Sequence, residues 1–286
     1  MKRQEVNVGE VEVVVLADEQ ALARESVRRL VEALGRAIDE RGEAHVALTG
    51  GSSAVALYRE LTEPEWFEAI DWGGVHLWWG DDRFVPVDHP DSNIGLAYSM
   101  LLASGARSGE SGSIGATAVD VARPGGPGLP IPVNNVHPFE IDEALSESDA
   151  GELVAQRYAE ALGEQLPRGA GGLPAFDVIL LGVGPDGHIL SVFPGSAALE
   201  PGAPLVLAVP APRHVEPHLP RVTLNPRLLE AAGLVVVMAS GARKADVLAD
   251  VLEGEHYPRR LPAQLAALHN AVWLLDEPAA SRLGRT

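Results

Sequence analysis

His188 stands in the stretch GVGPDGHILSVFPGS, behind Gly182 and Gly184, with Asp186 and Gly187 immediately before it. An imidazole with an ordinary pKa of about 6.5 takes a proton from water near neutrality, and Asp186 is close enough in the chain to orient it. A lone histidine is more often a hydrogen-bonded structural group, but this one follows a glycine-rich turn at the end of the apolar run FDVILLG. Gly182, Gly184 and Gly187 have the G-x-G-x-x-G spacing. The helix and the acidic residue about 20 positions on that a dinucleotide site requires are not evident.

Three further stretches carry suitable side chains. Thr49-Gly50-Gly51-Ser52 separates an apolar run from a helical pattern, and such a turn offers backbone N–H groups and hydroxyls to an anion. It is not a P-loop, because no G-K-[ST] follows. Asp81, Asp82 and Arg83 end the run VHLWWG; Arg83 is the more specific signal, since guanidinium suits bidentate phosphate recognition. Asp91-Ser92-Asn93 reads as a helix N-cap. Lys244 shares the whole chain with only one other lysine, Lys2. It falls in the first turn of a helical pattern, where the macrodipole disfavours a cation, so a solvated surface charge explains it poorly.

Other chemistries are poorly served. The chain has no cysteine, which excludes disulfides, thiol nucleophiles and thiolate metal sites. Among the histidines only His214 and His218 share an H-x-x-x-H spacing, and Pro217 and Pro220 argue against a helix there. No metal and no cofactor is expected. Ser52 and Ser191 lie outside any G-x-S-x-G elbow, which disfavours a serine hydrolase.

These residues need strand ends to hold them. Apolar runs predict strands at 11–16, 45–49, 74–80, 176–182, 204–209, 221–224, 234–239 and 271–276. Helical patterns at 18–41, 53–61, 93–102, 152–166, 226–232 and 242–252 fall between them. The alternation predicts an α/β fold: an open, mostly parallel sheet with helices on both faces, whose ligands gather at the carboxyl ends of the strands. A Gly/Ser/Pro-rich stretch at about 103–130 reads as a surface insertion within a single domain spanning 1–286.

A sizeable core is within reach of 286 residues. With 40 acidic against 22 basic side chains the net charge is -18, which disfavours nucleic acid and anionic membrane as partners. The first 20 residues do not read as a signal peptide, and no run is long enough to span a bilayer. A cytoplasmic location and a monomer or small homo-oligomer are the expectations.

In combination, LTGGSS, WWGDDRFVPVDHPDSNIGLA, IPVNNVHPF, FDVILLGVGPDGHILSVFPGS, RVTLNPRLLEAA, ASGARKADVL and LPAQLA resemble the 6-phosphogluconolactonase family over nearly the whole chain. The resemblance implies a fold related to ribose-5-phosphate isomerase and CoA transferases, and hydrolysis of 6-phospho-D-glucono-1,5-lactone in the oxidative pentose phosphate pathway. It implies that His188, with Asp186, activates water and that Arg83 and Lys244 hold the phosphate. Thr49, Gly50, Gly51, Ser52, Asp82, Gly187 and Arg213 complete the expected substrate-binding set. Ile189, Asp82 and Arg213 depart from the family's usual Thr, Glu and Lys. Glucosamine-6-phosphate deaminase looks like a relative on the same fold and is the alternative activity, but SVFPGS after the histidine is lactonase-like. A non-catalytic sugar-phosphate sensor is a third reading, weakened by the lack of a basic DNA-binding segment.

Overall fold

The computed structural model describes residues 4–8, 11–102 and 128–284. Among the described residues eleven strands and seven α-helices follow one another in chain order. They are β1 (Gln4–Val8), β2 (Val11–Leu16), α1 (Glu19–Arg41), β3 (Ala44–Leu48), α2 (Gly51–Leu61), α3 (Pro64–Phe67), β4 (Val75–Trp79), β5 (Asp81–Arg83) and α4 (Asn93–Leu101). After them come β6 (Val136–His137), α5 (Ile141–Ala144), α6 (Ala150–Gln165), β7 (Val178–Gly182), β8 (Val206–Val209), β9 (Arg221–Leu224), β10 (Leu234–Ala239), α7 (Ala245–Glu253) and β11 (Ala271–Asp276). Most of the predicted insertion, 103–127, lies outside the described residues.

The large sheet has the order β1-β2-β11-β10-β7-β3-β4-β6. Only β1 runs antiparallel, against β2. Every residue of β3 and β11 is buried, as are all but the end residues of β7 and β10, which is why these strands read as unbroken apolar runs. Helix α1 packs on β3, β10 and β11. Asp18 caps its start by accepting from the Ala21 N–H, and Gly42 closes it in the left-handed region at φ 80°.

Two of the predicted strands leave this sheet. β8 and β9 pair with the three-residue β5 in a separate antiparallel sheet of order β5-β9-β8, covered by α6. The segment predicted as a helix at 226–232 holds a 3-10 turn, Pro226–Glu230, in place of an α-helix, and the last predicted helix is split into a 3-10 turn, 242–244, and α7.

β3 and β7 are neighbours, and the chain proceeds from β3 outward to β4 and β6 but from β7 outward to β10 and β11 in the opposite direction. Such a reversal opens a crevice at the carboxyl ends of the two strands. Nearer the amino ends of β3 and β4, His45 and His76 are register partners. His76 Nδ1 is 3.0 Å from His137 Nε2, Trp78 Nε1 donates to His45 Nδ1 at 3.1 Å, and His137 stacks on Trp78. Burial lowers the pKa of all three histidines, that of His137 to about 4 with help from its two neighbours.

Candidate active site

At the end of β3 the chain turns through Thr49 and Gly50 into α2. Gly50, the N-cap, gives no side-chain hydrogen bond, so the N–H groups of the first helical turn remain open to an anion. A Cβ at Gly50 would stand 1.8 Å from Asn93 Oδ1; glycine is what lets α2 and α4 begin side by side.

β5 supplies the opposite wall, and its pleat sorts its three residues. Successive strand residues point to opposite faces. Asp81 and Arg83 face the cleft, whereas Asp82 is wholly buried. The Asp82 carboxylate accepts from the N–H groups of Arg83 and Asn93, both at 2.7 Å, from Ile94 N–H at 3.0 Å and from the Ser92 hydroxyl at 3.0 Å. It therefore holds the start of α4. Burial pushes the Asp82 carboxyl up, to about 7, against the pull of those backbone donors. Across β5, Arg83 pairs with Arg221 and Asp81 with Thr223. Ser191 ties this wall to the β7 loop: its hydroxyl donates to Asp81 Oδ2 at 2.5 Å and its N–H to Thr223 Oγ1 at 3.1 Å.

The loop after β7 carries the histidine. His188 Nδ1 lies 2.5 Å from Asp186 Oδ1. The carboxylate can only accept, so Nδ1 is the donor, and in the neutral ring Nε2 is the nitrogen that keeps a lone pair. Nε2 has no protein partner among the described residues, and His188 lines the cleft. The ring lies against Gly184, where a Cβ would be 2.0 Å from Nδ1. Burial raises the Asp186 pKa, but the His188 and His214 contacts outweigh it and hold the carboxyl well below the usual range. Leu190, also on the cleft, has φ 54°, a left-handed backbone that costs energy in a branched residue.

Lys244 precedes α7 and sends Nζ to the carbonyl of Val183 at 2.6 Å, leaving two N–H donors free. Burial lowers its pKa, opposed by the charge of Asp186. The whole cleft holds about 220 Å³. Its charged and polar groups include one oriented imidazole, one open helix N-terminus, the three cations Arg83, Arg221 and Lys244, and the carboxylates of Asp81 and Glu216. Among the described residues no three His, Asp or Glu side chains converge as around a metal ion.

A family model for glucosamine-6-phosphate isomerases/6-phosphogluconolactonase matches residues 17–274. The chain belongs to this family. It is 35% identical over 273 residues to the 6-phosphogluconolactonase of Mycobacterium tuberculosis, covering 94% of this chain and 97% of that one. To the 6-phosphogluconolactonase of Synechocystis sp. it is 33% identical, with 95% and 98% covered. Among solved structures, 6-phosphogluconolactonase from Trypanosoma brucei superposes with a TM-score of 0.77 at 28% identity, covering 95% of this chain and 98% of that one. A monomeric glucosamine-6-phosphate deaminase shares the fold at 18% identity and a TM-score of 0.67, with 94% and 99% covered.

In this member of the 6-phosphogluconolactonase and glucosamine-6-phosphate isomerase family, the fold brings together Thr49, Gly50, Gly51, Ser52, Arg83, His188 and Lys244. Asp186 stands one contact behind the cleft, on His188. Three expected binding residues are elsewhere. Asp82 faces inward as a helix anchor, for the pleat reason above. Gly187 donates its N–H to Gly184 O at 3.1 Å and accepts from Ala263 N–H at 2.8 Å, so its backbone is spent on the turn. Arg213 is exposed and does not line the cleft. Asp81 and Arg221, which were not expected there, line the cleft. Arg221 is 3% exposed, its Nε has no hydrogen-bond partner among the described residues, and its guanidinium lies 5.4 Å over the Phe193 ring. The one signal for Arg221 in the sequence is a charge opening the apolar strand RVTL.

Proposed function

We propose that this chain is a 6-phosphogluconolactonase, hydrolysing 6-phospho-D-glucono-1,5-lactone to 6-phospho-D-gluconate in the oxidative pentose phosphate pathway. The observation that carries the mechanism is the His188–Asp186 pair, which leaves Nε2 as a base at the wall of a cationic cleft. His188 takes a proton from water as the water oxygen bonds to C1. The ring C1–O bond then breaks, and the same proton passes to the departing ring oxygen. No electron transfer is involved, and the scheme uses neither metal nor cofactor.

The open N–H groups at the start of α2 serve the oxyanion that develops at C1. The Gly187 N–H, already donated to Gly184, is not free for it. Arg83, Arg221 and Lys244 hold the phosphate, and that binding energy positions C1 against the water. A covalent serine route has less support, because Ser191 is buried and its hydroxyl is committed to Asp81.

The enzyme is one α/β domain acting in the cytoplasm as a monomer or small homo-oligomer, without a nucleic-acid partner. The net charge of -18 disfavours a nucleic-acid partner. Among the described residues no helix is long and apolar enough to cross a membrane. Proton release from freshly made lactone, measured against its spontaneous hydrolysis, tests the activity. Ammonia release from glucosamine 6-phosphate with no acceleration of lactone opening would replace it by the deaminase reading.

A further inference from the structure

Asp186 has two carboxylate oxygens, and each meets an imidazole. Oδ1 is 2.5 Å from His188 Nδ1, and Oδ2 is 2.8 Å from His214 Nε2. His214 reaches it from the proline-rich segment between β8 and β9, 28 residues along the chain. The same two imidazoles also share Phe193. Its ring is 4.7 Å from that of His188 and stands edge-on to His214 at 5.7 Å. His188, Asp186, His214 and Phe193 thus form a closed circuit of contacts on the rim of the cleft.

A carboxylate torsion is broad and nearly two-fold. Held by one oxygen alone, Asp186 can turn about its Cβ–Cγ bond and exchange one oxygen for the other or for water. A donor on the second oxygen removes that freedom. Hydrogen bonds to an ionised acceptor are the stronger kind, and Asp186 is only 18% exposed whereas His214 is 52% exposed. The fixed partner is therefore the carboxylate, and His214 is the arm that reaches over to lock it.

We propose that His214 is a positioning residue for the reaction: by holding Asp186 Oδ2 it fixes the plane of the carboxylate, and through it the ring and tautomer of His188. The inference rests on the reading of His188 as the base. His214 touches no reacting atom in this scheme. Its neighbours Val215 and Glu216 do line the cleft, so an effect through the segment as a whole has to be separated from an effect through Asp186.

A double-mutant cycle makes the separation. His214→Ala is expected to lower kcat about 5- to 10-fold with KM changed less than about twofold. His214→Gln, whose amide N–H can reach Asp186, should stay within about twofold of wild type, while the shorter His214→Asn should behave like alanine. In an Asp186→Asn background, His214→Ala should cost nothing further. Wild-type kcat in His214→Ala, the same loss in both backgrounds, or a rise in KM at constant kcat would each overturn the proposal. Thermal unfolding of every variant guards against a loss of fold. If His188→Ala keeps wild-type turnover, the base assignment itself has failed; if His188→Ala is inactive while His214→Ala runs at full rate, only the positioning role falls.

Discussion

Arg83 and Arg221 face each other directly across the antiparallel pair β5 and β9, so two guanidinium groups border the same cleft. Like charges placed opposite each other destabilise a sheet. Burial lowers the Arg221 pKa and Arg83 adds to the effect, with Asp81 opposing. The Nε of each arginine is buried without a hydrogen-bond partner among the described residues. A dianion held between them, as proposed, would relieve both costs.

Replacing Arg83, Arg221 or Lys244 by alanine should therefore cut kcat/KM for the phosphorylated lactone by roughly 10- to 100-fold, at about 1.5–3 kcal/mol for each charge-assisted contact. Activity on unphosphorylated glucono-δ-lactone should hardly change. Steady-state assays of both substrates decide the matter: equal losses on the two would assign that residue to the chemistry or the fold instead of the phosphate.

His188→Asn should lower kcat by at least about 100-fold, the low end for loss of a general base, while leaving 6-phosphogluconate binding nearly intact. Asp186→Asn should also lose mainly kcat, because an amide can donate to Nδ1 and favour the wrong tautomer. Product binding by calorimetry beside the kinetics is the check. Unimpaired turnover in the His188 variant would remove the base from the scheme.

Asp82→Ala should destabilise the protein by about 2 kcal/mol or more, since it strips three buried donors at the start of α4, and the Arg83 N–H on β5, of their acceptor. Asp82→Asn, which keeps one acceptor, should lose less. Urea midpoints of the two variants measure this, and a wild-type midpoint for the alanine variant would contradict the anchor role.

The histidine cluster on β3, β4 and β6 should make the fold acid-sensitive. Its pKa values are lowered in the folded chain, so the unfolded chain binds protons first as the pH falls. Stability is then fully present above about 6.5 and is lost as the pH drops toward about 4. Each histidine contributes a slope of at most about 1.4 kcal/mol per pH unit. His137→Phe, which keeps a ring against Trp78, should flatten the melting temperature between pH 7 and 5; an unchanged slope would exonerate the cluster.

The histidine, the glycine turn, Arg83 and Lys244 were legible in the sequence because each follows a strand that can be read from its apolar run. Two strands of the small sheet were legible, but not β5 or their separation from the large sheet. A three-residue strand such as Asp81–Arg83 has no periodicity to detect, and without its phase nothing in the sequence distinguishes Asp81, which faces the cleft, from Asp82, which anchors a helix. Arg221 was hidden for the same reason, since its place depends on pairing with that strand. His214 lay one residue from the expected Arg213, but its link to Asp186 crosses 28 residues of chain and leaves no local signature.

Gly184 touches no reacting atom in the proposed scheme, yet the histidine ring occupies the volume where its side chain would be. The smallest substitution, a single methyl group, would evict the base from its seat. Position 184, like position 50, is thus closed to mutational drift: a residue without chemistry of its own, whose one tolerable identity is set by the room its neighbour needs.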